Sequence, residues 1–229
     1  MKLADVQKKL KKIKSQGFVP SSRKGPTGIG HTLETLMGLS ENNIPLPDFG
    51  DVELKATRTN SQSMITLFTF NKRAWKMDPL EAIKRYGSKD KNGRLGLYYT
   101  MSIKPNGAGL FLYVDNNQVE VRHVDGTVIV SWSLLSICEV FEKKVKNVLL
   151  VKAQSEMRDN VEFFYFDRAK LLTGGKTVEI LKSKFENEQL LVDLRLHDNG
   201  TSARNHGTGF RVYERELEDL YERVEEIII

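Results

Sequence analysis

Apolar residues recur along this chain with two different periods, and the switches between them mark out its elements. Between Asp5 and Lys14, Val6, Leu10 and Ile13 fall at helical spacing, with Gly17 as a stop and lysines 8, 9, 11, 12 and 14 lining the rest of the helix. Residues 18–30 are rich in Gly, Pro, Ser and basic side chains and read as a loop. Thr32–Met37 then predicts a short helix that carries Glu34 and turns Leu33, Leu36 and Met37 inward. A Pro-punctuated loop, Asn42–Gly50, leads to two strand-like runs, Asp51–Thr57 and Ser63–Phe70.

The middle of the chain is β-rich. Asp78-Pro79 opens a helix to Tyr86, and strands are predicted at Gly96–Ile103, Leu110–Val114, Gln118–Val124 and Val128–Ser131, with Asp115-Asn116-Asn117 as a hairpin turn. Leu134–Lys144 predicts a helix, and Val148–Glu156 with Val161–Phe166 a second hairpin about Arg158-Asp159-Asn160. Val178–Phe185 reads as a helix and Leu190–Leu196 as a strand. A polar segment, His197–Gly209, precedes the short strand Phe210–Tyr213, the charged Glu214–Glu225 and an apolar end, Ile227–Ile229. With no internal repeat, the pattern predicts a mixed α/β class with a largely antiparallel component.

Composition adds bounds. At 229 residues, 40% hydrophobic and 28% charged, the chain can bury a substantial core as one large domain or two small lobes. Lys+Arg total 35 against 30 Asp+Glu, a formal charge of +5, which favours a polyanionic partner without the extreme basicity of histone-like proteins. The single Cys138 allows no internal disulfide, the N-terminus leads into a lysine-rich helix, and no apolar run approaches membrane-spanning length. These features predict a soluble cytoplasmic protein with no membrane partner.

Two segments imitate phosphate loops. Gly25-Pro26-Thr27-Gly28-Ile29-Gly30-His31-Thr32 has the Walker A spacing, but His31 stands where the phosphate-binding lysine belongs and no strand is predicted before it. Thr173-Gly174-Gly175-Lys176-Thr177 has the right end but Lys170 where the first glycine should be, so no nucleotide cofactor is expected. The first loop retains another use. Arg23, Lys24 and backbone N–H groups at a helix start can hold a DNA phosphate, or the segment can be an ordinary loop.

The segment Pro47-Asp48-Phe49-Gly50-Asp51-Val52-Glu53-Leu54-Lys55 carries more specific chemistry. Side chains alternate along a strand, so Glu53 and Lys55 share one face while Val52 and Leu54 point into a core. Phosphodiester hydrolysis needs an activated water and neutralisation of transition-state charge, and Mg²⁺ takes hard oxygen ligands, only one or two of them carboxylates. Asp48, Glu53 and the Leu54 carbonyl can supply these oxygens, with Lys55 beside the attacking water. Asp51 competes with Asp48 as a ligand, and spacing alone fits an exposed strand face with an ordinary ion pair equally well.

Pro47-Asp48 followed by Glu53-Leu54-Lys55 resembles the PD-(D/E)xK nuclease signature, and its surroundings resemble the MvaI/BcnI restriction endonucleases, relatives of the mismatch-repair nickase MutH. The resemblance runs in order through Arg23–Gly30 with Thr32 and Glu34, Pro47–Lys55, Arg85-Tyr86-Gly87 with Lys89-Asp90, Val192-Asp193-Leu194-Arg195 and His206-Gly207-Thr208-Gly209-Phe210-Arg211. It implies a restriction-endonuclease-like core with a second, DNA-recognition lobe and a DNA cleft between them. The catalytic lobe would take about residues 1–100 and parts of 130–170, and the recognition lobe about 100–130 and 170–229.

The same resemblance implies a catalytic centre of Asp48, Glu53 and Lys55 with Glu34 close by, and metal ligands at Asp48, Glu53 and Leu54. It implies Mg²⁺ as cofactor, with Mn²⁺ substituting and Ca²⁺ supporting binding without cleavage. Contacts to double-stranded DNA are expected from Arg23, Lys24, Arg195, Arg204, His206, Thr208 and Arg211, with Arg195 and Arg211 as guanine readers. At Arg204 a close relative carries a histidine. The family implies a monomer that nicks each strand of a CC-N-GG pseudopalindrome in turn, and the chain looks closer to the CCWGG-cutting, MvaI-like branch. A MutH-like repair nickase and a non-catalytic sequence-specific DNA-binding protein are the alternatives; no RNA-stacking aromatic motif favours a ribonuclease.

Overall fold

The computed structural model describes residues 3–39, 46–59, 61–71 and 74–229. The chain divides into two compact units, the first built from 1–63, 142–175 and 214–229 and the second from 64–141 and 176–213. Residues 64–100 thus belong to the second unit and 214–229 to the first.

The first unit opens with α1 (Leu3–Lys14), β1 (Val19–Pro20), α2 (Gly28–Leu36) and β2 (Val52–Arg58). Its sheet has the order β1-β10-β9-β2, where β9 is Asn147–Arg158 and β10 is Val161–Thr173. β2 runs parallel to β9, pairing Glu53 with Val148 and Lys55 with Leu150, and the other pairings are antiparallel. Val6, Leu10 and Ile13 of α1 and Ile29, Leu33 and Met37 around α2 pack with Leu54, Leu149, Val151 and Phe164 in one buried cluster. The continuous apolar run Val148–Val151 makes β9 a strand covered on both faces.

Several predicted boundaries move. α2 begins at Gly28, inside what the sequence reads as loop, and Val19–Pro20 pairs with β10. The Asn42–Pro45 part of the predicted loop lies outside the described residues. β10 continues seven residues past Phe166, to Thr173, through a register shift between Phe166 and Arg168. The charged stretch after Tyr213 breaks into α6 (Glu214–Leu217), a 3-10 turn and β14 (Arg223–Ile227), which pairs with β10. Its charges hid that strand, because an exposed edge strand needs no apolar alternation.

The second unit holds β3 (Met64–Thr69), α3 (Pro79–Tyr86), β4 (Ser88–Lys89), β5 (Leu95–Met101), β6 (Leu110–Val114), β7 (Gln118–His123) and β8 (Val128–Ser133). After α4 (Leu134–Lys144), which runs on into the first unit, come α5 (Val178–Glu186), β11 (Leu191–Asp198), β12 (Ala203–Asn205) and β13 (Gly209–Tyr213). One sheet has the order β3-β13-β11-β5-β4 with β12 on β11, and β6-β7-β8 form a meander. β12 lies in the polar segment His197–Gly209, for which no strand was predicted, and Arg204 there pairs with His197. Asp78 caps α3 by accepting from the N–H groups of Leu80 and Glu81, as the Asp-Pro start predicts.

Candidate active site

Phe49 and Val52 exchange backbone hydrogen bonds at 2.9 and 3.2 Å, closing a turn around Gly50 and Asp51 just before β2. Gly50 takes φ +68°, a left-handed conformation that suits glycine. The turn carries Asp48 back beside the strand, where its Oδ2 accepts from the Leu54 N–H at 2.9 Å. Asp51 stays exposed in the turn, its carboxylate accepting from Asn147 Nδ2 at 3.2 Å.

Along β2, Val52, Leu54 and Ala56 pack on the core cluster, so alternation turns Glu53, Lys55 and Thr57 to the other face. Glu53 is only 5% exposed there. Lys55 Nζ donates to its Oε1 at 2.7 Å, and Lys144 Nζ at the end of α4 stands 3.3 Å from Oε2. The second contact is an ion pair without hydrogen-bonding geometry, which leaves Oε2 buried and without a donor among the described residues. Tyr221 donates to the Val145 carbonyl at 2.9 Å. Burial, reinforced by the negative charge of Glu53, holds that phenol protonated far above its ordinary range.

Sequence reasoning did not single out Lys144. A lysine at a helix C-terminus ordinarily complements the helix dipole, and only the parallel pairing of β9 with β2 shows that this helix ends beside Glu53. Glu34 is half-buried on α2, a helix that packs against β2.

Arg23 and Lys24 are exposed in the loop before α2. The loop is tied down. Ser22 N–H donates to Thr32 Oγ1 at 3.0 Å, Arg58 Nη1 to the Pro26 carbonyl at 3.3 Å, and Arg58 also grips both oxygens of Glu162 at 2.6 and 2.7 Å. A Cβ at Gly28 would lie 2.4 Å from the Arg23 carbonyl oxygen, so this close approach requires glycine.

The remaining predicted residues sit in the second unit. Asp193, 6% exposed, accepts from Arg195 Nε at 2.6 Å and Arg211 Nη1 at 2.9 Å through Oδ2, and from Thr100 Oγ1 at 3.1 Å through Oδ1. Arg211 also donates to the Met64 carbonyl at 2.9 Å and is largely buried, whereas half of the Arg195 side chain is exposed. A cavity of about 480 Å³ is lined by Tyr98, Asp193, Leu194, Arg195 and His206. His206 Nε2 lies 3.1 Å from Nδ1 of the buried His197, which also meets the Tyr98 hydroxyl at 3.0 Å. Partial burial of the His206 ring, then the positive charges of His197, Arg204, Arg94 and Arg195, lower its pKa. Arg204 is exposed, and Thr208 is completely buried with its N–H on Asn71 Oδ1 at 2.8 Å.

The model of the MvaI/BcnI restriction endonuclease family matches residues 7–221. The chain belongs to that family. No curated protein sequence matches it. Among solved structures it is similar to restriction endonuclease MvaI in complex with its cognate DNA substrate, at 27% identity over 100% of both chains and a TM-score of 0.83. It is also similar to MvaI in the absence of DNA, at 27% identity over 99% of this chain and 97% of that one, with a TM-score of 0.55. The resemblance drawn from the ordered motifs and the mixed α/β class are both borne out. As a member of the MvaI/BcnI family the chain is a site-specific deoxyribonuclease. No described helix is long and apolar enough to cross a membrane.

Proposed function

We propose that the chain is a Mg²⁺-dependent type II restriction endonuclease of the cytoplasm. It hydrolyses a CC-N-GG pseudopalindrome, CCWGG as first choice, and works as a monomer that nicks each strand in turn. The observation that carries this reading is the row in which Asp48 is tied to the Leu54 N–H while the buried Glu53 is held by Lys55 at 2.7 Å.

The donor set fits Mg²⁺. Glu53 presents a buried carboxylate oxygen with no hydrogen-bond donor among the described residues, and Asp48 approaches the same strand from the turn. No cluster of three or more metal-binding side chains occurs among the described residues, but two carboxylates and a backbone carbonyl are enough for an ion that keeps most of its waters. When bound, Mg²⁺ lowers the pKa of a water and neutralises charge on the phosphate. Asp48, Glu53 and the Leu54 carbonyl would hold the ion, and Lys55 would orient the attacking water and stabilise the developing negative charge. Lys144 keeps the Glu53 carboxylate turned toward the site.

Base reading falls to Arg195. Its Nε is fixed by Asp193, which leaves both terminal nitrogens of the guanidinium as a fork for guanine O6 and N7. Arg23 and Lys24 hold backbone phosphates and position the duplex without reading it.

Digestion of a sequenced, unmethylated plasmid by the purified protein with Mg²⁺, followed by end mapping, tests the reading. The expected result is breaks at one short sequence of the CC-N-GG form, abolished by EDTA and absent with Ca²⁺. Nicks that appear only when a partner protein is added would assign the chain to repair instead.

A further inference from the structure

The face of β2 that carries Glu53 and Lys55 continues into a second charged pair. Thr57 lies two residues beyond Lys55 and is directly paired with Lys152 of β9. Both side chains meet Glu214: Thr57 Oγ1 donates to its Oε1 at 3.0 Å, and Lys152 Nζ stands 3.1 Å from the same oxygen. Glu214 is 7% exposed, and its Oε2 is buried without a donor among the described residues.

That arrangement is poor as a device for stability alone. A buried ion pair gains little over apolar packing, and an unpaired buried carboxylate oxygen is costly. The pair is, however, oriented. Its carboxylate lies inward, and the Lys152 side chain, 24% exposed, lies outward. An ammonium has three donors, and the one that meets Glu214 leaves two for an outside ligand.

We propose that Lys152, anchored by Glu214, binds a backbone phosphate of the strand being cut, next to the scissile one. This rests on the cleavage reading of Glu53 and Lys55. Lys152 lies one strand over and two residues along from Lys55, a Cα offset of about 8 Å from strand geometry. A DNA strand rises about 3.4 Å per nucleotide, so a phosphate one or two nucleotides from the cut falls within reach of a lysine side chain at that offset. Because Glu214 fixes the ammonium in advance, less rotamer freedom is lost on binding.

The test uses single methylphosphonate substitutions, which remove one phosphate charge at a time, across the three phosphates on either side of the mapped cut. Affinity is measured in Ca²⁺ by fluorescence anisotropy. Lys152→Ala alone leaves Glu214 as an uncompensated buried charge, so Lys152→Met combined with Glu214→Gln is the principal variant, its fold checked by thermal melting. In the wild type, one substitution within two nucleotides of the cut should weaken binding about tenfold. In the double variant that substitution should have no further effect, and the slope of log affinity against log salt should be shallower by about one. Equal responses of the two proteins at every phosphate would overturn the role of Lys152 while leaving the cleavage reading intact. A wild type that neither binds nor cuts the duplex would bring both down.

Discussion

Arg195 and Arg211 share a single acceptor: Oδ2 of Asp193 receives Nε of the first at 2.6 Å and Nη1 of the second at 2.9 Å. Their surroundings divide the work. Arg211, with 16% of its side chain exposed, is a buried strut between Asp193 and the Met64 carbonyl, while Arg195, 48% exposed, reaches the cavity. Arg211→Ala should therefore destabilise the protein by about 3 kcal/mol in urea unfolding, the cost of breaking a buried pair. Arg195→Ala should cost less than about 1 kcal/mol but reduce discrimination at one guanine by about 1–3 kcal/mol. The reverse pattern would make Arg211 the reader.

Asp193→Asn keeps the shape of that acceptor and removes its charge. Binding to cognate DNA should weaken while binding to unrelated DNA rises or holds, because a negative charge has gone and the Arg195 fork is no longer fixed. Competition titrations with the two duplexes measure the ratio; an unchanged ratio would remove Asp193 from recognition.

Lys144→Ala should slow single-turnover cleavage on the order of 10²-fold, comparable to loss of one preorganised electrostatic contact, with affinity in Ca²⁺ nearly unchanged. A wild-type rate in this variant would show that the 3.3 Å contact with Glu53 has no part in the reaction.

The pH dependence of stability has a predicted sign at His206. Its pKa is lowered in the folded protein, so the stability it contributes is fully present above the ordinary histidine value of 6.5 and is lost as pH falls through the folded value. The melting temperature of the wild type should drop between about pH 7 and pH 5 more than that of His206→Gln. Parallel curves would contradict it.

The shared face of Glu53 and Lys55 was legible because strand alternation is local: once Val52 and Leu54 are placed inward, these two must point the other way. The Asp-Pro start of α3 and the Asp159-Asn160 hairpin turn, both residues at positive φ, were legible for the same reason. What escaped depends on long-range pairing. Lys144 and Glu214 reach the β2 face through tertiary packing, not through any spacing along the chain. Arg195 and Arg211 look alike in sequence, and only burial separates them, with 48% of the first side chain exposed and 16% of the second. Thr208, expected from the resemblance to contact DNA, is completely buried and directly precedes β13.

The central claim is that the Asp48–Glu53–Lys55 row cuts DNA. Its most direct test is single-turnover cleavage of a short duplex containing the mapped site by wild type and Lys55→Ala, with binding of the same duplex measured in Ca²⁺. The predicted result is cleavage by wild type in Mg²⁺, none detectable by Lys55→Ala, and nearly equal affinity for both. Undiminished cutting by Lys55→Ala would contradict the account.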